Sequence, residues 1–351
     1  MMGSAVDFRA MEARDDDLIA FRECFERNTG SRRLDTLRWQ YFDNPTEELL
    51  VDLAVSDDRI AGIYAVQPAF VRVLGERMLA AQSVDTLVDA DFRGRGLFPR
   101  MADSVYGRVR ERQGAFVYGF PNANSAPGFF DKLGWVSLDP VPFLVRPLRT
   151  AFLASKLPLG GWLQRLPDVR IPVFREAPSA TQELRPVNEF DSEVENLWRR
   201  FSTGVKVTVD RSSQYLRWRL GKPGERYVCL GLFEQTRLVA FCAYKTVDKH
   251  GGRVGYVVEL LHDPGRHETG AALVRVALRR MAADGADVAL SWAFGHSPNA
   301  KAYSNAGFVT LPERLRPIEL HFGVRPLREP LREVLTDRES WYISYCDSDT
   351  V

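Results

Sequence analysis

Apolar positions along the chain follow two alternating rhythms. Leu97, Met101, Val105 and Val109 recur every four residues, one face of a helix expected over Leu97–Arg112. Leu273, Val276, Ala277 and Met281 repeat that stripe later in the chain. Other runs are rich in β-branched and aromatic residues and end at turn residues such as Asp57-Asp58 and Gly251-Gly252. They predict strands over 49–55, 60–66, 70–74 and 115–120, and again over 227–233, 238–246, 254–261 and 288–294. Helical stretches are expected at 16–28 and 192–201, with short helices ending at Gly134 and Gly307. The pattern is mixed α/β (α+β), with mostly antiparallel sheets flanked by helices.

The same order of elements occurs twice, and short segments repeat with it. Leu37-Arg38-Trp39 returns as Leu216-Arg217-Trp218, and Val145-Arg146-Pro147-Leu148 returns as Val324-Arg325-Pro326-Leu327; both offsets are 179 (216 − 37 and 324 − 145). Arg59–Ile63 matches Arg237–Phe241, and Lys132–Trp135 matches Asn305–Phe308. A domain-sized period is too long for a solenoid repeat and reads as duplication. The expected division is 1–149, a connector 150–183, and 184–351. Four prolines break the connector, and Phe152, Leu153, Leu157, Trp162, Leu163 and Leu166 make it apolar. Internal packing is the expectation for it; a membrane-surface or dimer contact is the alternative, which leaves a homodimer open.

Composition narrows the class. The chain has 351 residues, 45% of them hydrophobic, so whole-chain disorder is excluded. Its 47 Lys+Arg against 46 Asp+Glu give +1, without the broad basic footprint of a nucleic-acid binder. Four cysteines without a CxxC pair, and histidines without HExxH, give no support for a zinc, redox or catalytic metal site. No run is long and apolar enough to span a membrane, and the first residues do not resemble a signal peptide. A cytoplasmic protein is expected.

The chemically informative stretch is Val84-Asp85-Thr86-Leu87-Val88, then Asp89 to Phe92, then Arg93-Gly94-Arg95-Gly96-Leu97-Phe98. It reads strand, tight loop, helix. Gly94 and Gly96 permit a sharp turn and close backbone approach. The loop opens a helix, so free N–H groups and the helix dipole face an anion, with Arg93 and Arg95 beside it. A Walker Gly-Lys-Ser/Thr ending and a GxGxxG spacing are both absent.

This loop resembles motif A of the GNAT N-acyltransferases, an Arg/Gln-x-x-Gly-x-Gly/Ala loop that holds the coenzyme A pyrophosphate. Arg93 and Gly96 match; Phe98 stands where a small residue is expected. Gly119 to Ser125, continuing to Phe129-Phe130-Asp131-Lys132-Leu133-Gly134-Trp135, is similar to motif B. The resemblance covers both halves and implies a duplicated GNAT fold. It implies an acyl-CoA co-substrate, acetyl or short acyl, and direct attack of a primary amine on the thioester. Leu87, Val88, Arg93, Gly94, Arg95, Gly96, Leu97, Phe98, Asn124 and Ser125 are the expected CoA contacts, with the Val88 N–H as oxyanion donor. Asp85 is the candidate base, its side chain opposite to that of Val88 unless a bulge intervenes. The usual acid, a Tyr, is replaced by Phe130; Tyr106 and Tyr118 are stand-ins. The second loop, His262 to Ala272, carries Glu268 where phosphate would sit, so the first half is expected to hold acyl-CoA alone.

A narrower resemblance, through Arg38-Trp39-Gln40-Tyr41, Asn44-Pro45 and the tail Trp341-Tyr342-Ile343 with Asp347-Ser348-Asp349, is to tandem acyltransferases of sugar and polysaccharide pathways. It implies a small-molecule acceptor, a nucleotide-linked amino sugar. A peptide or protein amine, and a non-catalytic acyl-CoA sensor, are the competing readings.

Overall fold

The computed structural model describes residues 5–57, 59–150, 168–174, 179, 181–249, 251–316 and 318–348. The apolar connector residues Phe152 to Leu166 and the tail residue Asp349 lie outside the described residues. In chain order the first part comprises β1 (Asp7–Ala10), α1 (Asp15–Asn28), α2 (Leu34–Tyr41), β2 (Leu50–Ser56), β3 (Arg59–Val73), β4 (Glu76–Val88), α3 (Leu97–Glu111), β5 (Phe116–Gly119), β6 (Val136–Ser137) and β7 (Phe143–Pro147). Then come β8 (Glu183–Pro186), α4 (Ser192–Phe201), β9 (Val207–Val209), α5 (Ser213–Leu220), β10 (Val228–Glu234), β11 (Arg237–Lys249), β12 (Gly252–His262), α6 (His267–Ala283) and β13 (Val288–Trp292). The last are α7 (Ala300–Asn305), β14 (Val309–Thr310), β15 (Gly323–Pro326) and α8 (Arg332–Thr336).

The runs at 60–66 and 70–74 form one strand. Pro68 separates them in the sequence, yet it pairs with Ala81 in register, and the β3 ladder continues to Val73. A proline fits extended backbone and removes one donor without ending the strand. The hairpin to β4 turns at Leu74-Gly75, both with positive φ (52° and 87°).

The chain forms two compact units, and their bounds differ from the expected 149/150 and 183/184 boundaries. The first holds residues 1–140, 222–225 and 320–340; the second holds 141–221, 226–319 and 341–351. The first sheet runs β1-β2-β3-β4-β5-β15-β6, so a strand from near the C-terminus is built into it. The second runs β14-β7-β13-β12-β11-β10-β8, and takes β7 from the first sequence copy. The repeated Val-Arg-Pro motif is the exchanged strand in each case. β15 pairs antiparallel with β5 from Gly323↔Gly119 to Pro326↔Phe116, and β7 pairs with β13 from Val288↔Pro147 to Trp292↔Phe143. Sequence similarity marks which strands correspond, but not which sheet each joins.

In the first unit the sheet has two packed faces. Leu97, Met101, Val105 and Val109 of α3 meet Leu50, Ala54, Ala61 and Val117 on one face. Phe21, Cys24 and Phe25 of α1, with Leu37 and Tyr41 of α2, meet Val51, Leu53, Ile63 and Leu87 on the other. In the second unit α6 is buried more completely, through Ala271 to Leu278.

The exchanged strand makes a prediction. A chain truncated after Arg149 leaves the β5 edge without β15 and exposes buried Phe116 and Val117. We expect it to be insoluble or to lack cooperative unfolding, measured by solubility and near-UV circular dichroism. A soluble truncated chain with a native-like melt would contradict the strand's importance.

Candidate active site

The site starts from a short pairing. β4 and β5 run parallel through three registered pairs only, Ala81↔Val117, Gln82↔Tyr118 and Ser83↔Gly119. Beyond them β4 continues to Val88 while β5 ends at Gly119. A gap opens along the β4 edge from Val84 to Val88. The Asp89 N–H donates to the Ala61 carbonyl at 3.0 Å, toward β3. Backbone groups alternate between strand edges, so the N–H and C=O of Val88 face the gap. Arg93 Nε donates to the Val88 carbonyl at 3.3 Å.

The loop at the end of the gap is built by glycine. Gly94 and Gly96 hold φ of 78° and 72°, left-handed values that disfavour other residues. The space above both is open: a Cβ there would meet nothing within 4 Å. Gly96 caps α3 without a side-chain bond, so the first-turn N–H groups lack intrahelical partners. Leu97 and Phe98 supply two of them; Pro99 has none to supply. Arg93 and Arg95 are exposed, and Arg95 lies over the Phe92 ring at 4.8 Å. Two N–H donors, two guanidinium groups and an unobstructed approach form a cradle for phosphate.

Phe98 has a packing reason. Its ring contacts Phe129 and Tyr64, with centroids at 5.5 and 5.6 Å, and lies against Gly128, where a Cβ would come within 3.0 Å of it. The larger residue in the loop is matched by a glycine in the following motif.

Asn122 organises the next turn. Its Oδ1 accepts from the N–H groups of Asn124 and Ser125 at 3.0 and 3.1 Å, and Ser125 Oγ donates to the Asn122 carbonyl at 3.2 Å. Ser125 therefore shapes the turn, while Asn124 is exposed. The turn leads into the π-helical segment Gly128–Lys132 that carries Phe130.

Asp85 sits at a bulge. Tyr64 pairs with Thr86 and Val66 with Ser83, so β4 has one residue more than β3 across Val84-Asp85. The side chain lies on the α1–α2 face, 4% exposed. Tyr41 Oη donates to Asp85 Oδ2 at 2.8 Å, Gln40 Nε2 donates to the same oxygen at 3.3 Å, and Arg32 Nη2 donates to Oδ1 at 2.5 Å. Leu87 shares this face, whereas Val88 packs toward α3. Sequence reasoning missed Arg32. Its signal was there: Arg32 and Arg211 have the 179 offset of the flanking repeat (211 − 32).

The stand-in acids are core residues. Tyr118 is 2% exposed, and Tyr106 is fully buried, accepting from Trp135 Nε1 at 2.9 Å and paired with Tyr64 at 2.5 Å. Burial pushes the Tyr106 hydroxyl up to about 12. Phe130 instead lies near His321, ring centroids 6.1 Å apart, and His321 Nδ1 is 2.6 Å from Asp139 Oδ2.

The second unit also splays, since β12 and β13 share three pairs ending at Tyr256↔Leu290. There the gap is filled. Tyr342 Oη and Asn299 Nδ2 reach the Leu260 carbonyl at 3.3 and 3.5 Å, and both side chains are buried. A Cβ on Gly270 would lie 2.6 Å from His262 Cδ2. Glu268 stands in the first turn of α6, accepting from Asn305 Nδ2 at 2.6 Å. Burial pulls His262 below its ordinary value. Among the described residues no group of three or more His, Cys, Asp or Glu side chains is placed to hold a metal, and no helix is long and apolar enough to cross a membrane.

Comparison with known proteins agrees with this geometry. Residues 9–137 match the family described as an acetyltransferase (GNAT) domain. No curated protein matches by sequence. N-myristoyltransferase of Saccharomyces cerevisiae with bound myristoyl-CoA superposes with a TM-score of 0.61 at 12% identity, over 92% of this chain and 83% of that one. A GCN5-related N-acetyltransferase from Anabaena variabilis gives 0.60 at 10% identity, over 92% and 73%. A probable N-acyltransferase from Enterococcus faecalis gives 0.61 at 10% identity, over 92% and 73%. These likenesses extend the shared fold across both halves. The domain match covers the glycine loop and the splayed strands of the first unit, and the fold of both halves is similar to that of these two-copy N-acyltransferase structures.

Proposed function

We propose that the first unit transfers an acetyl or short acyl group from coenzyme A to a primary amine on a small molecule, an amino sugar linked to a nucleotide being the acceptor that the narrower motifs suggest. The β4–β5 gap ending at the Gly94–Gly96 loop carries this reading. The pyrophosphate would sit on the Leu97 and Phe98 N–H groups with Arg93 and Arg95 beside it. Asn124 would meet the pantetheine arm, and the Val88 N–H would donate to the oxyanion. Asp85, on the α1–α2 face, would take the amine proton directly or through one water. The setting we propose is cytoplasmic, without nucleic acid.

The two loops make a prediction about stoichiometry. Calorimetry with acetyl-CoA should show one site per chain. Gly96→Glu should weaken binding by about tenfold or more, because it adds a carboxylate to a cradle for phosphate and forces a side chain into the left-handed region. Glu268→Gln in the second loop should leave the affinity within about twofold. Two equal sites would refute the assignment to the first unit.

The role of Asp85 is also testable. Asp85→Asn should lower kcat by about 10²–10⁴-fold with CoA affinity nearly unchanged, and flatten the acidic limb of the pH–rate profile. The second unit favours a specific competing role, because it keeps the same Arg–carboxylate pair without an open loop: Arg211 Nε donates to Glu259 Oε2 at 2.9 Å. A fall of only a few-fold would assign Asp85 to positioning Arg32 and the strand end.

A further inference from the structure

We infer that the acceptor carries a carboxylate close to its amine, and that Arg32 binds it. This rests on the acyl-transfer reading and adds the chemistry of the acceptor. The two units correspond position by position around this pair. Asp89 and Asp263 correspond with an offset of 174 (263 − 89): their N–H groups donate to Ala61 and Val239, and each carboxylate holds two arginines. Arg27 and Arg59 meet Asp89; Arg200 and Arg237 meet Asp263. Arg27 also reaches the Ile60 carbonyl as Arg200 reaches that of Leu238. By the same offset Asp85 corresponds to Glu259 (259 − 85 = 174), and Arg32 corresponds to Arg211 by the 179 offset of the helix that follows (211 − 32).

The two pairs are finished differently. Arg211 is 0% exposed and serves two carboxylates. Besides Glu259, its Nη2 donates to Asp347 Oδ2 at 2.6 Å and to Ser344 Oγ at 3.2 Å. The tail bearing those groups is tied down by Arg219, which donates to the carbonyls of Cys346 and Ser348 at 2.9 and 2.7 Å. Position 219 matches Gln40 by the 179 offset. In the second unit the chain itself therefore supplies the second partner of the arginine.

Arg32 has that capacity unused among the described residues. It gives Nη2 to Asp85, lies 4.9 Å over the Phe25 ring, and keeps 42% of its side chain exposed. A guanidinium carries five N–H donors, enough for a second, bidentate carboxylate. A phosphate dianion fits less well, since Asp85 stands beside the site and repels the higher charge more strongly. The pair has positive and negative ends side by side. A zwitterion matches it, with its carboxylate on Arg32 and its ammonium toward Asp85, where the amine proton must leave.

The test uses the full chain, acetyl-CoA and two matched pairs of acceptors: glycine with glycinamide, and 3-O-carboxymethylglucosamine with glucosamine. Coenzyme A release is followed with a thiol reagent. At least one acid should exceed its neutral partner by about tenfold or more in kcat/KM, and the winning pair tells an amino acid from an amino sugar acid. In Arg32→Lys and Arg32→Gln the ratio should fall to within about twofold, mainly through KM. Equal kcat/KM within both pairs in the unaltered protein would overturn the proposal, with no variant needed. If no amine is acylated, the Arg32 Nε–H signal of ¹⁵N-arginine-labelled protein decides, identified by its loss in Arg32→Lys. A saturable shift with either acid, and none with its neutral partner, keeps the anion site and rejects acyl transfer. Absence of any shift rejects the site as well.

Discussion

The parallel pairing of β4 with β5 has to stop early, and the rest of the first unit is arranged around that stop. At Gly119 the two strands are as close as backbone allows: a Cβ there would lie 2.9 Å from the Ser83 carbonyl. One residue later the β4 ladder bulges at Val84-Asp85. A bulge increases local twist and bends the strand that carries it. The bend leaves the Val88 amide and carbonyl on an open edge, and a polar edge left open inside a domain needs a partner. In the proposed function the pantetheine arm is such a partner, and the Gly94–Gly96 loop lies at the end of the same strand.

The two units finish that edge differently. In the second unit the tail and Asn299 close the gap, and the arginine, carboxylates and hydroxyls around Glu259 form a fully buried network. Burial pushes the Asp347 carboxyl up, against the pull of Arg211, so this network carries a desolvation cost. Removing one member of such a buried network typically costs about 3–5 kcal/mol, because the others are left unpaired. The first unit avoids that cost by leaving Arg32 half in water, and the same exposure makes it available to a ligand. One duplicated pair thus serves as a sealed strut in one place and an accessible edge in the other.

Much of this was legible in the sequence, and the limits are physical. The α3 stripe at 97, 101, 105 and 109 was readable because a helix repeats its buried face every turn, and the glycine loop because φ near +75° leaves few alternatives to glycine. The bulge was readable only as a condition on Asp85. Register depends on which residue of β3 faces which residue of β4, and no local pattern records it. The strand exchange was invisible for the same reason: Val324-Arg325-Pro326 pairs with Phe116–Tyr118, about two hundred positions away along the chain. Arg32 was missed because a lone arginine before a short helix carries no pattern. Only its repeat at Arg211 marks it.

Phe130 is held by a backbone contact of the same closeness. A tyrosine at that point would need its hydroxyl directed at the leaving sulfur. The Phe130 ring instead lies against Gly323 of the exchanged strand, where a Cβ would come within 2.8 Å of it. Trp135 presses on the same glycine, 3.1 Å from that Cβ position. The site of the usual acid is thus used for packing, and an aromatic ring without a polar tip is what a close-packed contact with a backbone favours. In the proposed acyl transfer, the group that protonates the departing thiolate would therefore lie outside this contact.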